Sequence, residues 1–192
     1  MHLDSVRRLE ALAFAGWPAL ETRDIAGWRL RFADGYTKRA NSINALGPDA
    51  ATDARTVEML EAAYREQGRT PIWRLSPLAP SSIGPFLAGR GYRRIERSLL
   101  QVCPLHGDFA ASPDVAILPR PTPDWLAAFA TYSPVQPEHR PTMQRMLDAI
   151  AAPVGFALVQ ENGRPLAMAI GAVQGEHMGL FDVLVMPEAR RR

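Results

Sequence analysis

Residues 154–174 read VGFALVQENGRPLAMAIGAVQ, two apolar runs on either side of an Asn-Gly pair. A two-residue hairpin turn whose twist matches its flanking strands needs φ > 0 at its central residues, and Asn-Gly accepts that with the least strain. The pair at 162–163 therefore dictates two antiparallel neighbours. HMGLFDVLVM (177–186) adds a third strand, since Phe and Val dominate it and Pro187 ends it. Such a sheet needs cover, and two helices precede it: TPDWLAAFATY, with Thr122 as N-cap and Pro123 in the first turn, and TMQRMLDAIAA at 142–152. VAILPR (115–120) reads as a short strand ahead of them.

The first half repeats the pattern. Leu3, Val6, Leu9, Leu12 and Ala13 recur at helical spacing, with Asp4 or Ser5 as cap and Gly16-Trp17-Pro18 as the stop. Residues 25–33 alternate Trp28, Leu30 and Phe32 with Arg29 and Arg31, a half-buried strand. Asp34-Gly35 predicts a hairpin turn, with 36–46 as the return strand. Thr52 or Asp53 caps a helix over 54–68, whose face is Val57, Leu60, Ala63 and Tyr64. A buried strand near 71–77, a short helix in 81–91 and a longer strand over 92–105 complete this unit. The small, polar, proline-bearing stretch 106–114 reads as a linker, so the expected organisation is 1–105, a linker at 106–114, and 115–192.

Composition narrows the function classes. A formal charge of +2 is small for 192 residues and is mostly assigned to the terminal arginines, which is not the concentrated basic face that nucleic-acid binding needs. No apolar stretch reaches the ~20 residues that span a bilayer, and the N-terminus is amphipathic with an early Asp4, unlike a signal peptide. The single Cys103 excludes an intramolecular disulfide, suits a reducing cytoplasm, and sits in an apolar run that predicts a buried structural thiol. His139 and His177 have no ligand partners at metal-binding spacing, so no metal is expected. The expectation is a cytoplasmic protein with neither nucleic-acid nor membrane partners.

The order helix, helix, hairpin, third strand, with the ending VLVMPEARRR, resembles the first half of the GNAT N-acetyltransferase fold. In that superfamily the fourth strand reads apolar-x-V-x-P, followed by Arg/Gln-x-x-Gly-x-Gly/Ala at a helix start. Val183, Leu184, Val185 and Pro187 match the strand and Arg190 matches the Arg/Gln position, while the first glycine would fall on the residue after Arg192. The pattern GW-x-LR-x-A-x-G-x-T-x-RANS at 27–42 is similar to the front end of bacterial tandem GNAT proteins, and FLAGRGY (86–92) looks like the back end of the same fold. The resemblance implies an α/β protein with mixed, largely antiparallel sheets and flanking helices, built as two GNAT-like units, the second incomplete.

By the same resemblance the activity is transfer of an acetyl or short acyl group from acetyl-CoA, the cosubstrate, to a small-molecule or peptide amine. Val183, Leu184 and Val185 would pair with the pantetheine arm like an extra strand, and Arg190, Arg191 and Arg192 would meet its phosphates. Asp182 beside that strand would take a proton from the amine, or else be a charge facing solvent or an arginine. His139 lies in a loop bordering the acceptor side and would contact substrate. Arg39, Asn41 and Ser42 form a polar strip that either binds ligand or satisfies nearby backbone. The competing expectation is a non-catalytic binding or scaffold fragment ending before the glycine loop, with self-association through an exposed sheet edge.

Overall fold

The apolar patterns of the two halves become two four-stranded sheets, with strand orders β1-β2-β3-β4 and β5-β6-β7-β8. The computed structural model describes residues 2–107, 110, 112–133 and 135–191. In the first half the order is α1 (Leu3–Gly16), β1 (Glu21–Ile25), β2 (Trp28–Phe32), β3 (Ile43–Ala45), α2 (Ala54–Arg65), β4 (Trp73–Arg74) and α3 (Ile83–Gly89). β1, β2 and β3 pair antiparallel, while β4 joins β3 in parallel, Ile43 opposite Trp73. Val57, Leu60 and Tyr64 of α2 and Ile83 and Leu87 of α3 bury themselves against Trp28, Leu30 and Ile43 of the sheet. Each such side chain contributes about 1.5–3 kcal/mol on leaving water. Asp53 caps α2 as expected, accepting the Thr56 N–H at 3.0 Å.

The second half contains β5 (Val115–Leu118), α4 (Pro123–Tyr132), α5 (Arg140–Asp148), β6 (Val154–Glu161), β7 (Arg164–Gln174) and β8 (His177–Val185). All four strands are antiparallel, and the 162–163 turn sits where the Asn-Gly pair placed it, Asn162 at φ 52° and Gly163 at 77°. Thr122 caps α4 by accepting the Trp125 N–H at 3.2 Å. Trp125 and Phe129 of α4 and Met143, Met146 and Leu147 of α5 cover Phe156, Met168, Ile170 and Phe181 on one sheet face. These sheets and helices make the mixed α/β architecture that the sequence implied.

The two halves are not packed separately. Trp17, Ala33, Tyr36 and Ala40 from the first half belong to the core cluster of the second. Trp17 stacks on Phe181 with ring centroids 6.5 Å apart. Gly16, the last residue of α1, lies so close that a Cβ there would overlap the Phe181 ring.

Several expectations fail locally. Residues 36–42 are a loop, not a return strand, because Asn41 draws the chain into a closed knot described below. Arg31 is no solvent-facing partner of Arg29 but is buried, its guanidinium taken up by main-chain carbonyls. Segment 92–105 forms no strand, since it pairs with neither described sheet, and Ile95, Leu99 and Val102 stay exposed. Cys103 within it is exposed rather than a buried thiol. In the expected linker, residues 108, 109 and 111 lie outside the described residues.

Candidate active site at the bulged strand

β8 runs along the edge of its sheet among the described residues, and its ladder with β7 breaks once. Ile170 pairs with Phe181 and Met168 with Leu184, so two residues, Asp182 and Val183, stand opposite Ala169. This is a β-bulge, a device that bends a strand and re-aims a side chain. Asp182 adopts φ 46°, a left-handed conformation that Asp tolerates better than most residues. The bulge separates Phe181, which points into the core, from a half-buried Asp182 and an exposed Val183.

Beyond the bulge the backbone opens outward. The Met186 N–H donates to the Leu166 carbonyl at 2.9 Å, so by the alternation of an antiparallel ladder Val185 turns its own N–H and C=O to the free edge. Alongside lies a cleft of about 470 Å³ lined by Thr131 and Tyr132 at the end of α4, by Val183, Leu184 and Val185, and by Pro187 and Arg190. Arg190 Nε donates to the Val185 carbonyl at 3.1 Å, which holds the guanidinium over the strand end. Arg190 lines the cleft; Arg191 follows at φ 63°, and Arg192 lies outside the described residues.

A loop from the first half faces the bulge. Asn41, itself buried, organises it: the N–H groups of Ala33 and Gly35 donate to its Oδ1 at 2.8 and 3.0 Å. Its Nδ2 donates to the carbonyls of Tyr36 and Thr37 at 2.8 and 2.9 Å. Arg31 and Ser42 fix the next turn by donating to the Arg39 carbonyl at 2.8 and 3.1 Å. Arg31 also donates to the carbonyls of Phe14 and Trp17, tying the loop to the end of α1. On the other side Asp34 accepts from Thr142 Oγ1 at 2.9 Å and pairs with Arg145 at 3.2 Å, both on α5.

This scaffold presents two side chains at the bulge. Tyr36 packs against Trp17 at 6.4 Å and against the His139 ring at 6.0 Å, so Trp17, Tyr36, His139 and Phe181 form one aromatic group beside Asp182. The Tyr36 hydroxyl makes no hydrogen bond among the described residues. Burial and the nearby Asp182 carboxylate push it well above the usual phenol range. Burial likewise raises the Asp182 carboxyl, and the Arg39 guanidinium only partly offsets that rise. Burial pulls Arg31 down to about 10, with the Arg74 and Arg39 charges adding to the effect.

Asp182, Val183, Leu184, Val185 and Arg190 thus share one stretch of edge strand and its cleft, and His139 stands on the facing side through Tyr36. Tyr36, Thr131 and Tyr132 escaped the sequence reading. Tyr36 lies in the D-G-x-T-x-R-A-N-S run, whose spacing is that of a strand. Asn41 satisfies backbone, and Arg39 is exposed, its charge acting on Asp182. Among the described residues no group of three or more His, Cys, Asp or Glu could hold a metal ion, and no helix is long and apolar enough to cross a membrane.

Residues 4–192 match the family model named "Probable histone acetyltransferase Rv0428c C-terminal". The chain belongs to that family. Its sequence is also 22% identical, over 193 residues covering 98% of this chain and 77% of the relative, to the uncharacterized N-acetyltransferase YobR of Bacillus subtilis (strain 168). No solved structure matches it. The sequence resemblance to GNAT-type N-acetyltransferases is therefore borne out at the level of the family.

Proposed function

We propose that the protein transfers an acetyl or other short acyl group from acyl-CoA to an amine, with the β8 edge as donor platform and Asp182 as proton acceptor. The observation that carries this reading is the bulge: one backbone irregularity opens a strand edge and aims a half-buried carboxylate beside it. An extended chain rich in amides fits such an edge, because outward N–H and C=O groups add it as a further strand. The outward Val185 groups, the exposed Val183 and the adjoining cleft suit the pantetheine arm of CoA, and the Arg190 guanidinium in the same cleft suits a phosphate further along that arm.

The chemistry follows from what these residues can do. A protonated amine cannot attack a thioester, so Asp182 takes its proton, directly or through water. The amine nitrogen then bonds to the acyl carbon, the carbon–sulfur bond breaks, and CoA leaves as thiolate, which takes up the second proton that the nitrogen sheds as it becomes an amide. A base works best when its affinity for protons approaches that of the group it serves, and burial moves Asp182 in that direction.

The test is acyl transfer by the full-length protein from acetyl-CoA to a panel of primary amines, read as free thiol released. Asp182→Asn should lower kcat/KM by about 10²–10⁴-fold with CoA affinity preserved, and the loss should shrink as pH approaches the amine's own range. Unchanged turnover in the variant, or no thiol release with any amine, would overturn the proposal.

A further inference from the structure

The second sheet is apolar on both of its faces. The paired residues Phe156, Ile170 and Phe181, and beside them Leu158, Met168 and Leu184, point to the side that α4 and α5 cover. Residues between them in each strand point the other way, and those directly opposite one another share a face. Gly155, Gly171 and Leu180 make one row there, Ile117, Ala157 and Ala169 a second, and Val115, Val159 and Ala167 a third. Val173 and Met178 extend the same face toward the 175–176 turn. No polar side chain interrupts these rows. Strands that are apolar at nearly every position are those of sheets buried on both sides.

This second face is nevertheless open among the described residues. Ile117 is 64% exposed, Leu180 63% and Met178 50%. Its relief is uneven. The glycines and alanines of β6 and β7 make a trough, and larger side chains stand on the edge strands to either side. A Cβ at Gly155 would come within 2.8 Å of Ile117 Cγ2, while one at Gly171 would meet Met178 Sδ at 3.7 Å and Leu180 Cδ2 at 3.9 Å. The edge side chains thus lean over the trough from both sides.

Three properties of the face specify what covers it. Its rows carry no charge, so two copies meet there without repulsion and without burying an unpaired ion. As one contiguous apolar patch, with Gln160 and Arg164 at one end and Gln174 and His177 at the other, it has the apolar centre and polar rim of an interface burying ~800 Å² on each partner. A ridge on β8 beside a trough of glycine and alanine is also complementary to itself, which a two-fold contact requires.

We infer that the protein is a two-fold dimer in which these sheet faces pack together, the Met178–Leu180 ridge of each copy seated in the trough of the other. Sheets stacked in this way lie about 10 Å apart along the direction perpendicular to their strands. The free N–H and C=O groups of the β8 edge lie in the plane of the sheet, so face-to-face packing leaves that edge open to a ligand. Association through the edge itself would consume those groups.

Sedimentation equilibrium of the full-length protein at micromolar concentration tests this. Wild type should show twice the 21.2 kDa mass of one chain. Leu180→Asp and Ile117→Asp each place a carboxylate on the face and leave the covered core untouched. Each should weaken association roughly 100-fold or more, with the circular dichroism of wild type. Should either variant lose its fold, Val173→Asp on the same face carries the same expectation. Leu99→Asp alters a side chain that is 72% exposed but lies in the unpaired 92–105 segment, and it should leave the dimer unchanged. A monomer at these concentrations, whether its face is bare or covered by something else, would overturn the inference. So would a dimer that survives the face variants, or one that Leu99→Asp disrupts as strongly.

Discussion

Replacing Asn41 by Ala tests whether one side chain organises the loop that joins the two halves. Asn41 makes four good hydrogen bonds, two accepted from backbone N–H groups and two donated to carbonyls. The residue is only 7% exposed, so water cannot replace all of them. At about 1 kcal/mol net for each bond the loss is ~4 kcal/mol, a large part of the 5–15 kcal/mol that typically holds a domain together. In a protein of this size each kcal/mol moves the melting temperature by about 2–4 °C, so Asn41→Ala should melt roughly 10 °C lower. Differential scanning calorimetry measures this directly, with the exposed Arg93→Ala as a control expected to stay within about 0.5 kcal/mol. A fall of less than about 3 °C would refute the reasoning, because the loop would then be held by its aromatic contacts alone.

Two further outcomes follow from the same geometry. Burial makes the folded protein hold the Asp182 proton more tightly than the unfolded chain does; that contribution is complete below the ordinary carboxyl value of 3.8 and is lost as pH rises through the folded value. At pH 7 the charged carboxylate is thus a net cost, and Asp182→Asn, which also suits φ 46°, should melt higher there than wild type, the gap closing below pH 4; a lower melting point at pH 7 would contradict it. Gly16→Val should cost about 1–3 kcal/mol by driving a side chain into the Phe181 ring, and Phe181→Leu in the same protein should recover part of that loss in a double-mutant cycle.

What the sequence made legible is what short-range chemistry controls. The Asn-Gly pair placed the β6–β7 turn, Asp53 and Thr122 capped the helices they precede, and the VLVMP run marked the strand that carries the candidate site. What it hid depends on partners distant in the chain. Arg31 reads as the polar side of an alternating strand, and only the arrival of the α1 carbonyls from Phe14 and Trp17 makes its burial possible. Residues 36–42 read as a strand because nothing local shows Asn41 closing on Ala33 and Gly35. The bulge has no glycine to announce it, and an Asp with positive φ leaves no mark in the periodicity. Apolar content in 92–105 suggested a strand, yet a strand exists only where a neighbour offers a ladder.

The stacking of Trp17 on Phe181 also bears on how the chain matures on the ribosome. The first sheet and its helices close a core from residues that have all emerged by Leu87, so that part can condense early. Trp17 finds its Phe181 partner only when β8 is made, about 140 residues after Ala40, which shares its core cluster. At roughly 5–20 residues per second that is an interval of about 7–30 s. During it the nascent protein shows an aromatic patch to the cell, and the half that reaches the ribosome exit last is the half that hides it.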